Sequence, residues 1–69
     1  MGHQSSKTIL ISKVIELITK KYNYSIHEAR NIFYKSNVIK LIEDDETGLY
    51  GESPLYVFSL FEEENNLKR

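Results

Sequence analysis

Apolar side chains recur at helical spacing along most of the 69-residue chain. Across residues 5–23 they form two adjoining rows, one of Leu10, Val14, Leu17 and Ile18, the other of Ile11, Ile15, Ile18 and Tyr22. Residues three and four positions apart share one face of an α-helix, so the rows predict a first helix with a broad apolar face. β-branched residues are frequent here, but the strict alternation of a strand is missing.

Residues 23–37 predict a second helix with a marked start. Ser25 and Glu28 have the spacing of a capping box, in which the serine hydroxyl accepts from the backbone of the third helical residue. Ile26, Ala29 and Phe33 then recur on one face.

A short third helix is predicted over residues 36–45, with Ser36 or Asn37 as its cap. Val38, Leu41 and Ile42 have helical spacing, and Ile39 extends the row. The segment VIKLI is also rich in residues that favour strands, so a β-strand is the alternative. Helix is the preferred interpretation.

The stretch DDETGLYGESPLYVF, residues 44–58, predicts a turn followed by a helix start. Gly48 can adopt positive φ without steric cost. Ser53 and Pro54 suit the N-cap and first position of a helix, where the N–H that proline lacks has no helical partner. The helix predicted from Pro54 to Asn66 is apolar on nearly every side, which indicates either a place at the centre of the core or a surface that a partner covers.

These elements predict one all-α domain, a small bundle of three main helices and one short helix with the last helix at its packing centre. We expect the domain to span residues 7–66, between a polar N-terminal tail (1–6), native or partly a cloning remnant, and a short C-terminal tail (67–69). Glu62, Glu63 and Glu64 oppose the dipole at the end of the last helix. We expect this end to fray; the alternative is that a cationic partner faces it.

Composition places the chain among ordinary globular domains, with 41% hydrophobic and 28% charged residues. It has no cysteine, so disulfides and thiolate metal sites are excluded, and a reducing cytoplasm is the expected location. Its apolar runs are too short to span a membrane.

Charge is divided unevenly along the chain. Residues 1–40 hold seven basic and two acidic residues, a net charge of +5, whereas residues 41–69 hold two basic and eight acidic residues, a net charge of −6. One interpretation is that the two halves attract each other within the fold or across a dimer. The other is a nucleic-acid-binding face formed by Lys13, Lys20, Lys21, Arg30 and Lys35. An isoelectric point near 6.1 favours the first.

No pattern for catalysis or cofactor binding stands out, so the chain is predicted to be neither an enzyme nor a cofactor carrier. Residues 43–54 imitate the start of a calcium loop, but its closing ligand would be a glutamate and the chain has Pro54 there. His27 has no second histidine or cysteine beside it in the sequence, and a surface histidine accounts for it.

The remaining hypothesis is a protein-interaction module, with a protein partner or a second copy as its ligand. Tyrosine is enriched at recognition surfaces, although more often it lies at the edge of a small core. Among the five tyrosines, Tyr50 and Tyr56 are expected to be the exposed pair. Excess apolar surface in a short chain makes Leu49, Tyr50, Tyr56 and Leu60 the predicted partner surface.

Residues 28–64 resemble a group of small, uncharacterised bacterial proteins that share the pattern FYxS…L.D.ETGLY..SP.YV…L..E. The matching positions are Phe33, Tyr34, Ser36, Leu41, Asp44, Glu46, Thr47, Gly48, Leu49, Tyr50, Ser53, Pro54, Tyr56, Val57, Leu60 and Glu63. The resemblance implies a short all-helical protein, sometimes encoded beside toxin–antitoxin-like genes, and an antitoxin-like or regulatory partner role. It implies no catalytic residue.

Overall fold

Four α-helices make up the computed structural model, which describes the backbone of residues 4–67 and the side chains of residues 6–66. They are α1 (Gln4–Tyr22), α2 (Ile26–Tyr34), the short α3 (Asn37–Glu43) and α4 (Pro54–Leu67). The prediction of three main helices and one short helix is confirmed, and the described residues contain no strand. α1 already begins at Gln4, within the predicted tail; residues 1–3, 68 and 69 lie outside the described range.

The starts of two helices follow from local caps that the sequence predicts. The Ser25 hydroxyl accepts a hydrogen bond from the backbone N–H of Glu28 at 3.2 Å. In the same way, the Ser53 hydroxyl accepts from the N–H of Tyr56 at 3.2 Å, and Pro54 is the first residue of α4. Each bond satisfies an N–H group that has no partner within its helix.

The connection between α3 and α4 consists of two single-turn 3-10 helices, Asp45–Thr47 and Leu49–Gly51, on either side of Gly48. Gly48 has φ 67°, the left-handed conformation that glycine adopts without steric cost. The Asp44 carboxylate accepts from the N–H of Glu46 at 3.0 Å, and the Thr47 hydroxyl donates to the Leu41 carbonyl at 2.6 Å. The acidic turn is therefore held by its own hydrogen bonds.

The hydrophobic core is organised around α1, which contacts α2, α3, α4 and the second 3-10 turn. The prediction that α4 is the packing centre is therefore wrong. The residues that are fully buried and largest are Phe33, Phe61, Ile18, Ile42, Val14 and Val57. Phe33 of α2 and Phe61 of α4 meet edge to face with ring centroids 5.7 Å apart, a favourable aromatic geometry.

Two of the three glutamates near the end of α4 have partners elsewhere in the fold. Glu62 forms a 2.7 Å ion pair with the Lys21 ammonium. Both carboxylate oxygens of Glu64 accept from the backbone N–H of Asn37, at 3.1 and 2.9 Å. The expected fraying of this end is corrected, because these contacts hold the last turns of α4 against α1 and α3.

Candidate functional site

Among the residues whose side chains the structure describes, Leu55 is the most exposed large hydrophobic residue, at 68%. It lies in the first turn of α4, directly after the Ser53–Pro54 cap. The other exposed large hydrophobic residues of the described range are Ile9, Tyr22, Tyr24, Ile26, Tyr34, Leu41 and Tyr56. Scattered apolar side chains are normal on a protein surface, so the informative question is which of them border a concave site.

Leu55 borders a shallow groove of about 400 Å³ between α1 and the start of α4. We call it the Leu55 groove; its lining residues are Lys13, Glu16, Leu17, Ser53, Pro54 and Leu55. Leu17 and Pro54 are half-buried and supply apolar lining beside the exposed Leu55. The groove therefore offers apolar surface on two neighbouring helices.

Opposite charges lie on the α1 side of the Leu55 groove. Lys13 and Glu16 are both exposed and one turn apart. Among the described residues neither side chain forms an ion pair. One turn before Lys13, Ile9 is 56% exposed. The groove thus combines apolar lining with a positive and a negative group whose charges are not used within the described fold.

The partner surface predicted from the sequence is only partly exposed. Leu49 is 8% exposed and belongs to the core, which corrects its assignment to a docking surface. Leu60 is half-buried and packs against that core. The Tyr50 ring is half-buried too, and the Lys7 ammonium lies 5.7 Å from its centroid. Of the four predicted residues, Tyr56 alone has a largely exposed side chain, at 49%.

The exposed tyrosine pair predicted from the sequence is also corrected. Tyr50 is covered because the second 3-10 turn folds its residues onto α1 and α3. Tyr56 is exposed as expected, and so are Tyr22, Tyr24 and Tyr34. The loop composition indicated exposure, but the turn around Gly48 brings Leu49 and Tyr50 back to the core.

The five predicted nucleic-acid-binding residues do not border one shared groove. Lys13 lines the Leu55 groove, whereas Arg30 lines a separate groove between α1 and α2. Lys21 is engaged by Glu62. Lys20 and Lys35 are exposed. Phosphate binding relies on cations that acidic groups do not compensate, so the pairing of Lys21 weakens this hypothesis.

A third concave site lies where the ends of α1 and α4 meet α2. It has a volume of about 350 Å³ and is lined by Tyr22, Tyr24, Ile32, Phe61, Asn65 and Asn66. The Tyr22 and Tyr24 rings stack with centroids 5.7 Å apart. Asn23 between them has φ 58°, a left-handed conformation that asparagine tolerates better than most residues.

Glu62 anchors one edge of this tyrosine-lined site. The Tyr22 hydroxyl donates to the Glu62 carboxylate at 2.7 Å, the same oxygen that binds Lys21. Hydrogen bonds from Lys21 and Tyr22 lower the pKa of Glu62, and the bond to Glu62 raises the pKa of both Lys21 and Tyr22. These groups stabilise one another, and this accounts for their arrangement without a ligand.

The acidic residues form no metal centre in the described part of the chain, where no group of three or more histidine, aspartate or glutamate side chains is placed to hold an ion. Nor does any described helix combine the length and apolar character needed to cross a lipid bilayer. His27 is exposed in the first turn of α2.

Comparison with known protein families, with curated proteins and with solved structures gave no match for this chain. The similarity to the small bacterial group with the ETGLY pattern stays a prediction.

Sequence reasoning missed Leu55 as a site residue. The sequence did indicate that α4 carries more apolar side chains than one face can bury. Which of them stays outside depends on the direction from which α1 packs against α4, and that direction is a property of the tertiary structure. A sequence signal did exist, since Leu55 follows the Ser53–Pro54 cap and sits in a first turn, where neighbouring helices cover less of the surface.

Proposed function

We propose that this chain is a small cytoplasmic protein-interaction module without catalytic activity, and that it binds a protein surface through the Leu55 groove. The observation that carries the proposal is the combination of a 68%-exposed leucine with apolar lining from a second helix. Apolar grooves between helices are a recurrent way to bind a partner's side chains.

The cost of leaving Leu55 in water supports this role. Full burial of a leucine side chain is worth about 1.5–3 kcal/mol relative to exposure. A partner that covers Leu55 and the half-buried Leu17 and Pro54 recovers part of that energy. Anchors of this kind, set in a groove with charged groups at its edge, resemble the centre and rim of protein interfaces.

An antitoxin-like or regulatory role belongs to the same proposal, since the similarity to the small bacterial group supports it. Proteins of that kind act by occupying a partner and need no active site. The cytoplasmic location rests on the absence of cysteine, which suits a reducing compartment.

The test uses Leu55→Glu with Ile26→Glu as its matched control. Both positions lie in the first turn of a helix, both side chains are more than half exposed, and a glutamate suits the dipole at either place. Ile26 does not line the Leu55 groove. The two variants therefore differ mainly in which surface they disturb.

Tagged wild-type chain and the two variants are used to capture proteins from nuclease-treated lysate of the native cell. We expect one stoichiometric protein, which can be the untagged native copy, on the wild type and on Ile26→Glu. Leu55→Glu should weaken its binding by roughly 30-fold, or about 2 kcal/mol, as for an interface anchor. Equal capture by all three baits, or capture of no protein by any, would contradict the proposal.

A further inference from the structure

We propose that the partner bound at the Leu55 groove is a second copy of this chain, related to the first by a two-fold axis. This inference rests on the proposed function, because it uses the same groove and names what covers it. The evidence is the pattern of charge at the groove, together with the low net charge of the whole chain.

A two-fold interface is formed by the same patch on both copies, so residue i of one copy meets residue j of the other, and j meets i. A patch is compatible with this symmetry when it complements itself. The α1 side of the Leu55 groove meets the requirement, since it carries one cation, Lys13, and one anion, Glu16, a single turn apart. Antiparallel crossing of two α1 helices places Lys13 of each copy opposite Glu16 of the other.

Neither of these side chains has an ion-pair partner among the residues that the structure describes. By contrast, Lys7 and Lys21 of the same helix are paired with Asp45 and Glu62. Lys7 and Lys21 are therefore neutralised within the chain, whereas Lys13, Glu16 and the exposed Lys20 are left available for contact between copies.

The apolar groups and the net charge favour the same partner. Leu55 lines the groove beside the two charges and is 68% exposed, and Ile9, one turn before Lys13 on α1, is 56% exposed. In a two-fold dimer each copy covers these groups on the other. The net charge of −1 produces little repulsion between copies, a condition that promotes association.

The test is a charge exchange measured by sedimentation equilibrium. Lys13→Glu places two glutamates opposite each other, and Glu16→Lys places two lysines opposite each other. Each variant changes both equivalent pairs of the dimer from attraction to repulsion, so each alone should weaken dimerisation roughly tenfold or more. Lys35→Glu and Glu63→Lys, which change exposed charges outside the groove, should leave dimerisation unchanged.

Rescue distinguishes contact between copies from a structural role within one chain. An equimolar mixture of Lys13→Glu and Glu16→Lys should form heterodimers, because each position in one variant then faces an opposite charge in the other. The double variant Lys13→Glu/Glu16→Lys should dimerise with itself as the wild type does. Circular dichroism checks that every variant is folded.

A monomeric wild type over the full concentration range, or a dimer that both single exchanges leave intact, would overturn the inference. So would failure of the two variants to associate when mixed, if the wild type dimerises. The proposed function is judged separately. If the wild type does not dimerise but captures a different protein through Leu55, the proposed function stands and the dimer is refuted. If the wild type neither captures a protein through Leu55 nor dimerises, both the proposed function and the dimer are refuted.

Discussion

The backbone conformation of Gly48 changes the direction of the chain between α3 and α4. Its φ of 67° ends one 3-10 turn and begins the next, and so turns Leu49 into the core. A side chain at this φ meets its own backbone, and this cost does not depend on the surroundings. Apart from the glycine itself and its two chain neighbours, no atom lies within 4 Å of the Cβ position at Gly48 or Gly51, and of these two glycines Gly48 alone has positive φ.

We therefore expect Gly48→Ala to lower the free energy of unfolding by about 1–2 kcal/mol. Gly51→Ala is the matched control and should be neutral or slightly stabilising, because it restricts the unfolded chain without strain in the folded one. Urea denaturation at neutral pH measures both. Equal losses in the two variants would show that φ at residue 48 is not the cause.

At the scale of elements, the end of α4 acts as a cap for α3. The Ser36 hydroxyl, which precedes α3, donates to the Phe33 carbonyl at 2.6 Å instead of accepting from the helix. The carboxylate of Glu64 takes its place and accepts from the N–H of Asn37. An anion at the end of α4 is unfavourable for the dipole of α4, but here it lies at the start of α3, where an anion is favourable.

Glu64→Ala should consequently lower the free energy of unfolding by about 1 kcal/mol, the usual cost of a lost cap. Glu63→Ala, one residue earlier and exposed, should have little effect or stabilise slightly by removing an anion near the α4 terminus. Thermal and urea unfolding of both variants provide the measurement. A larger loss in Glu63→Ala than in Glu64→Ala would refute this role of Glu64.

For the whole molecule, the uneven charge of the two halves of the sequence leads to ion pairs between α1 and the acidic half. Lys7 pairs with Asp45 at 2.6 Å, and Lys21 with Glu62 at 2.7 Å. The interpretation that the basic and acidic halves attract each other within the fold is supported by both pairs. Exposed pairs add little individually, and screening by salt reduces them further.

The cluster of Lys21, Tyr22 and Glu62 predicts how stability depends on pH. The pKa of Glu62 is lowered from its ordinary 4.5, so its contribution is present above that pH and is lost as pH falls through the folded-state value. The pKa values of Lys21 and Tyr22 are raised from 10.5 and 10.0, so their contributions are present below those values and are lost at higher pH.

The stability difference between the wild type and Glu62→Gln should therefore be greatest between these limits and should shrink at both extremes. Near neutral pH we expect a decrease of a few degrees in the melting temperature of Glu62→Gln. Glu63→Gln is the control and should follow the wild type. Calorimetry across the pH range makes the comparison, and a constant difference at every pH would be inconsistent with the cluster.

The four helices, and the way in which α2 and α4 begin, follow from the sequence alone. Ser25, Ser53 and Pro54 act on backbone groups within a few residues of themselves, and Gly48 acts through its own φ. Their effects can therefore be predicted from the sequence without knowledge of the fold. The spacing of apolar residues likewise placed Val14, Ile18 and Phe33 in the core, because helical period and burial are linked.

The packing of the helices explains three further features: α1 is central, Leu49 is buried while Leu55 is exposed, and Glu62 and Glu64 have partners. These outcomes depend on contacts between residues far apart in sequence: 27 positions separate Asn37 from Glu64, and 40 separate Tyr22 from Glu62. The spacing of apolar residues predicts that a helix has an apolar face. The direction from which neighbouring helices pack then determines which side chains at the edge of that face remain in water.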